Sequence, residues 1–309
     1  MASTDYPKTE RDIPYSEDSS LNTLSVYLPR PPIANDSHLW LVYIHGGAWR
    51  DPAIDSSSFD ITQQILQSSP SISKIAGIAS LNYRLSPYPS HPTDSSSPHD
   101  PARNSRHPDH IKDVLLAILY LQEMYHFGDR YVLIGHSCGA TLALQVSMRR
   151  YWGSQYESTF ALELNVEPPA AIMSVEGIYD IPDLVEEYAS QPVYRDFIVN
   201  AFGEDEKVWA EASVTNADFE ESWPDGKMVV IVHSRDDGLV SLRQPKLMVE
   251  SLRKQGWREN AGDEERRMKL VELNGLDHDE VWQDGRALAK EIEGIIEDLP
   301  PQASNSSNC

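Results

Sequence analysis

A short apolar run, Tyr131-Val132-Leu133-Ile134, stops at Gly135-His136-Ser137-Cys138-Gly139 and passes directly into Ala140-Thr141-Leu142-Ala143-Leu144. The first stretch has the length and β-branched content of a buried strand, and the last begins a helix. The five residues between leave room only for a sharp turn. The same unit recurs along the chain. Residues 39–44, 78–83, 171–175, 228–232 and 268–273 are further apolar runs of strand length. Runs that are apolar on both faces require a sheet covered on both sides. Helical patterns lie between them, over residues 113–125, 138–148 and 244–252. After the last run, Leu288, Ile292, Ile295, Ile296 and Leu299 fall on one face of a helix. This alternation predicts an α/β fold with a mostly parallel central sheet and helices on both faces.

Two segments break the alternation. Residues 89–106 are rich in Ser, Pro, His and Asp and contain no Leu, Ile, Val, Met, Phe, Tyr or Trp. They are expected to form a mobile surface insertion. Residues 182–226 carry Tyr188, Tyr194, Phe197, Phe202, Trp209 and Trp223 without strand periodicity. Two readings fit this segment, a small helical lid and ordinary connecting structure. With no internal repeat and 309 residues, the chain reads as a single domain with a frayed polar tail over 300–309.

Acidic residues outnumber basic ones, 48 to 26, for a formal net charge of −22. Such a surface repels a phosphate backbone and anionic lipid, so nucleic-acid and membrane partners are not expected. Cys138 and Cys309 are the two cysteines, too few for a disulfide framework or a cysteine-only zinc site. The polar start and the lack of a long apolar run predict a cytoplasmic protein. A homodimer is the default expectation for its assembly.

The turn at Gly135-His136-Ser137-Cys138-Gly139 fits the G-x-S-x-G pattern. A strand-to-helix turn this sharp forces its Ser into strained dihedrals and lifts the hydroxyl above the sheet. A Ser hydroxyl is a poor nucleophile without a base. The order expected for this turn is Ser, then acid, then His, with the partners on loops after later strands. His278 is the one His beyond His233 and follows the last run, so it is the candidate general base. Asp236 and Asp237 are adjacent, and only one can orient His278. Asp237 begins Asp-Gly-Leu-Val, where Val240 would tuck back into the core, and is favoured. Asp236 then caps or is solvated, and Glu280 is a remote alternative.

His45-Gly46-Gly47-Ala48-Trp49 follows the first strong apolar run. N–H groups of Gly46, Gly47 or Ala48, together with that of Cys138, can form an oxyanion hole. His45 is expected to brace this loop and Trp49 to wall the pocket or pack. The Cys138 backbone is expected to matter and its sulfur not. His91, His99, His107 and His110 lack acidic or Cys partners at ligand spacing, so no metal is expected.

These motifs, in this order, resemble the α/β-hydrolase superfamily. His45-Gly46-Gly47-Ala48-Trp49-Arg50-Asp51-Pro52 is similar to the H-G-G-x-W motif of kynurenine formamidases of the fungal type. Asn82-Tyr83-Arg84-Leu85-Ser86-Pro87, His107-Pro108-x-His110-Ile111-x-Asp113-Val114, Ser174-Val175-Glu176-Gly177-Ile178-Tyr179-Asp180 and His233-Ser234-x-x-Asp237-x-Leu239 resemble that family too. The resemblance runs from about residue 21 to 299, with 89–106 as an insertion. It implies cofactor-free hydrolysis of N-formyl-L-kynurenine to L-kynurenine and formate by Ser137, Asp237 and His278. Arg84 and the 182–226 segment are candidate anchors for the substrate's amino and carboxylate groups. A carboxylesterase for small acyl or aryl esters is the rival enzyme reading, and an inactive binding module the rival outside enzymes.

Overall fold

The computed structural model describes residues 5–34, 36–148, 165–259, 261–262 and 265–299. The tail at 300–309, with Cys309, lies outside the described residues. Among the described residues eight strands form one sheet: β1 (Lys8–Pro14), β2 (Thr23–Leu28), β3 (Leu39–Ile44), β4 (Ile75–Leu81), β5 (Tyr131–His136), β6 (Ala171–Val175), β7 (Met228–Ser234) and β8 (Arg267–Leu273). Their order is β1-β2-β4-β3-β5-β6-β7-β8. β3 to β8 run parallel, and β1 and β2 pair antiparallel at one edge.

All residues of β3, β4, β5, β6 and β7 are buried, as the doubly apolar runs require. Alternate side chains serve two cores. Trp40, Val42, Leu133 and Ile231 face one layer, which holds the helices Asp109–Tyr125, Cys138–Gln145 and Arg243–Lys254. Leu41, Tyr43, Val132, Ile134 and Val230 face the other, built on Asp60–Gln67 and Arg286–Asp298. The face of Leu288, Ile292, Ile295 and Ile296 is buried there.

The edge hairpin is the part of the sheet that the apolar runs do not announce. β1 reads Lys-Thr-Glu-Arg-Asp-Ile-Pro and is mostly exposed, a charged edge strand of the kind that resists pairing with other chains. β4 begins at Ile75, three residues before its apolar run, and ends at Leu81. Asn82, just past its end, stays tied to β2 by donating its N–H to the Thr23 carbonyl at 2.9 Å, and its Oδ1 accepts the Ser56 N–H at 2.7 Å.

Residues 89–106 hold their place through polar contacts. The Tyr88 N–H donates to Ser96 Oγ at 2.7 Å, the half-turn Pro101–Arg103 presents the Ala102 carbonyl to the Leu85 N–H at 2.8 Å, and Arg103 pairs with Asp94 at 2.9 Å. Residues 182–226 are helical in four short pieces: Ile181–Glu187, Pro192–Phe202, Glu206–Ala212 and Phe219–Ser222. Their aromatic residues Phe197, Phe202, Trp209 and Trp223 join the core. Among the described residues no helix is long and apolar enough to cross a membrane.

Candidate active site

The parallel strands deliver their C-terminal loops to one end of the sheet, where ligands bind in open α/β folds. Ser137 follows β5 there, with φ 54° and ψ −123°, a conformation sparsely populated for a residue with a side chain. The chain is forced into it by close packing on both sides. A Cβ on Gly135 would lie 2.2 Å from the Gly139 carbonyl oxygen, and one on Gly139 would lie 2.4 Å from the carbonyl oxygens of Ile44 and His45. The Ser137 N–H donates to the Val175 carbonyl at 2.8 Å, which ties the turn to β6.

His278 follows β8 and is buried. Its Nδ1 meets Asp237 Oδ2 at 2.8 Å. A carboxylate can only accept, so Nδ1 carries the proton and Nε2 is the basic nitrogen. Asp237 is held in turn: its Oδ1 accepts the N–H groups of Leu239 and Val240, both at 2.8 Å. Burial alone would raise the Asp237 carboxyl, but the hydrogen bond and charge of His278 outweigh it and hold Asp237 well below the usual carboxylate range. The neighbouring acids have other work. Asp236 accepts the Gly275 N–H at 2.6 Å, and Glu280 accepts the Asp277 N–H at 2.8 Å. His136 backs His278, its Nε2 donating to the His278 carbonyl at 3.0 Å. Burial lowers His136 to about 3, so it stays neutral.

The loop after β3 turns left-handed over three successive residues, with φ of 92° at Gly47, 49° at Ala48 and 59° at Trp49. Gly47 and Ala48 line the same cavity as Ser137 and His278. The Cys138 N–H lies in the first turn of its helix, where no intrahelical acceptor exists. His45 braces the loop: its Nδ1 donates to the Gly46 carbonyl at 2.9 Å, and its ring stacks on Tyr83 at 4.3 Å. Burial lowers His45 to about 4, so its ring is neutral at neutral pH. The Tyr83 hydroxyl reaches the carbonyls of His45 and Gly46 at 3.0 and 3.1 Å, bifurcated between them.

The Cys138 sulfur corrects one expectation. It accepts the Trp49 N–H at 3.2 Å and lies 3.5 Å from the Tyr83 hydroxyl, so it pins the left-handed loop from below. Burial pushes this thiol up to about 11, which keeps it protonated and chemically inert. Trp49 is fully buried, edge-on to Phe202 at 5.0 Å, and packs without walling the cavity.

The cavity above Ser137 has a volume of about 270 Å³. Tyr88, Tyr194 and Phe197 give it aromatic walls, and the half-exposed Val193 and Leu239 rim it. Tyr194 also donates to the Leu239 carbonyl at 2.6 Å, linking the helix Pro192–Phe202 to the Asp237 loop. Arg84, a candidate anchor from sequence, does not line this space. Its N–H, Nε and Nη2 are all bonded to the carboxylate of Asp113, at 2.7 to 3.1 Å. Asp113 is completely buried and needs that cation.

Sequence reasoning passed over Arg50, which does line the cavity. Its side chain is 5% exposed, donates to Asp196 at 2.6 Å and lies over the Tyr88 ring at 4.0 Å. It also passed over Glu176, fully buried at the end of β6 beside Asp237 and His278. The signal for Glu176 is an acid that directly ends an apolar run and precedes a Gly. The histidines at 91, 107 and 110 serve local structure. His91 Nδ1 accepts the Asp94 N–H at 2.8 Å, His107 packs on Phe202, and His110 Nε2 contacts Ser86 Oγ at 3.0 Å.

The profile of the BD-FAE family matches residues 24–252. A kynurenine formamidase-like hydrolase of Fusarium equiseti is 40% identical over 292 residues, covering 92% of this chain and 93% of the relative. The chain belongs to the kynurenine formamidase family. A kynurenine formamidase of Aspergillus versicolor is 34% identical over 264 residues, covering 78% of this chain and 86% of the relative. Kynurenine formamidases are amide hydrolases on the α/β-hydrolase fold, and solved structures agree on the fold. Esterase B of Lactobacillus rhamnosis superposes with a TM-score of 0.68 at 14% identity, covering 96% of this chain and 89% of the esterase. A carbohydrate esterase from gut microbiota does so with a TM-score of 0.64 at 17% identity, covering 96% and 98%.

Proposed function

We propose that this chain hydrolyses N-formyl-L-kynurenine to L-kynurenine and formate with a Ser137-His278-Asp237 triad. The observation that carries the reading is a nucleophile turn and a tautomer-fixed imidazole facing one small aromatic-walled cavity. At about 270 Å³ the space is at the small end for ligand sites, which suits a formyl group on one aryl ring better than a long acyl chain.

In the first half-reaction, His278 Nε2 takes the Ser137 proton as Oγ attacks the formyl carbon. N–H groups of Gly46, Gly47 or Ala48, with that of Cys138, receive the oxyanion. The imidazolium is stabilised by Asp237. It then protonates the aryl nitrogen, the C–N bond breaks and kynurenine leaves. Water, deprotonated by His278, attacks the formyl ester, the bond to Ser137 Oγ breaks as His278 returns the proton to that oxygen, and formate leaves. No step needs a metal or cofactor. The reaction would serve tryptophan breakdown towards NAD.

Arg50 replaces Arg84 as the proposed anchor for the substrate carboxylate. Asp196, its partner, is an exposed side chain and occupies one Nη1 bond, so further guanidinium donors remain for a ligand. Acidic Asp51 and Asp279 line the same cavity and can receive the ammonium. Arg50→Met is expected to lower the preference for formyl-kynurenine over uncharged formanilide by about tenfold, the worth of one charge-assisted hydrogen bond. Equal loss on both substrates would sink the assignment.

The deciding experiment is hydrolysis of N-formyl-L-kynurenine beside p-nitrophenyl acetate. A kcat/KM far higher for the formamide supports the formamidase reading. Turnover of the ester alone makes the chain a carboxylesterase, and turnover of neither, with no fluorophosphonate label on Ser137, makes it a binding module.

A further inference from the structure

Glu176 stands in an unusual place. It directly follows β6 with φ 48°, a left-handed conformation that residues with a side chain rarely adopt. Its carboxyl is completely buried, and a carboxylate oxygen of Glu176, one of Asp237 and a ring nitrogen of His278 all lie within 4.8 Å of one another. Two buried carboxylates in contact cannot both ionise, so one of them keeps a proton. The donors around them decide which.

Asp237 receives three: the Leu239 and Val240 N–H groups on Oδ1 and the His278 ring on Oδ2. Glu176 receives one, the Ser234 N–H on Oε1 at 2.8 Å. Its Oε2 is buried without a donor. The neighbouring His233 Nε2, 3.3 Å away, gives its proton to the Val240 carbonyl at 2.8 Å. An oxygen that nothing donates to, beside a carboxylate rich in donors, is the one that bears the hydrogen.

We propose that Glu176 is a positioning residue for the triad, a carboxylic acid that keeps its proton at neutral pH and donates it from Oε2 to Asp237. The inference rests on the triad reading above and extends it to a fourth member. Three effects follow. The buried cluster carries one negative charge, opposite the imidazolium that forms during reaction. The added donor lowers the basicity of Asp237, so the proton stays on His278. And Oε1 locks the start of the β7 loop through Ser234, which fixes the Asp237 geometry from the neighbouring strand.

The groups facing this carboxyl come from every surrounding loop. Asp237 and His233 face it from β7 and its loop, Asp277 and His278 from the loop after β8, and Tyr179 from its own loop. His136 lies beyond His278. Burial and the adjacent Asp237 push Glu176 up to about 10, in agreement with the donor count.

Two substitutions separate the roles. Glu176→Met keeps the length and apolar bulk but cannot donate. It is expected to lower kcat/KM about tenfold, and to move the acid limb of the pH profile to higher pH, because an undonated Asp237 holds the imidazolium more strongly. Glu176→Gln can still donate to Asp237 and accept from Ser234, and is expected to recover most of that loss with the limb near its wild-type position. If Glu176→Gln is as damaging as Glu176→Met, or as Asp237→Asn, Glu176 is not a neutral donor.

Infrared difference spectroscopy of wild type against Glu176→Gln at neutral pH reads the proton without turnover. A protonated carboxyl band present in the wild type and lost in the variant is expected. Its absence overturns the proposal, even if activity has already supported the triad. Conversely, if Ser137→Ala keeps full activity, the triad reading falls while the infrared band still decides the Glu176 proton.

Discussion

Ser137→Ala is expected to abolish formyl-kynurenine hydrolysis, with a loss of about 10⁴- to 10⁶-fold in kcat, leaving only what the oxyanion donors and binding supply. The Michaelis constant should change little, because the hydroxyl acts in the transition state and not in holding the substrate. A second variant at this position tests the backbone. Ser137 is held at φ 54° and ψ −123°, between glycines that leave it no room to relax. Gly adopts that conformation freely. Ser137→Gly should therefore be as inactive as Ser137→Ala and no less stable, because about 1 kcal/mol of relieved strain offsets the extra chain entropy that Gly loses on folding. Thermal melts of the two variants check this. A Ser137→Gly variant that melts clearly below Ser137→Ala would mean that the turn stores no strain and that the hydroxyl's position comes from packing alone.

The fold was legible because the buried strands are apolar on both faces. Leu41 and Val42, adjacent in β3, go to opposite cores, and a sequence of such pairs leaves few alternatives to a covered parallel sheet. β1 carries no such mark, because an edge strand needs its charges. The candidate residues that the structure brings together were legible because each sits in a turn that restricts its neighbours. Gly135 and Gly139 are required because a Cβ at either position would lie 2.2 or 2.4 Å from a backbone oxygen, so the turn cannot be disguised by other residues. Arg84 and Arg50 show where that legibility ends. Both are arginines beside a motif. Which of them faces the cavity depends on Asp113, buried on a helix 29 residues further along the chain, which claims Arg84. The Cys138 sulfur is similar, since its partner, the Trp49 N–H, lies 89 residues away in the chain. Glu176 was hidden for another reason. Its chemistry comes from a neighbour on the next strand, and nothing local distinguishes a protonated acid from an ionised one.

Asp237→Asn is expected to lower kcat by about 10⁴-fold, while Asp236→Asn stays within a few-fold of wild type. The asymmetry follows from the contacts. Asp237 fixes the proton on His278 Nδ1, whereas Asp236 ends on the Gly275 N–H. An Asn at 237 turns an N–H towards the imidazole, favours the tautomer with its proton on Nε2, and leaves no base facing Ser137. Comparable losses from both variants would refute the assignment of the acid. The same residue sets one side of the stability profile. Asp237 lies below its unfolded value, so its contribution is present above the ordinary carboxylate range and is lost as pH falls through the folded value. Glu176 has the opposite sign. Between the ordinary carboxylate value and about 10, the folded chain holds a proton that the unfolded chain has released, and stability declines as pH rises. Melting temperatures across pH should therefore show Asp237→Asn flattening the acid arm and Glu176→Gln flattening the alkaline arm.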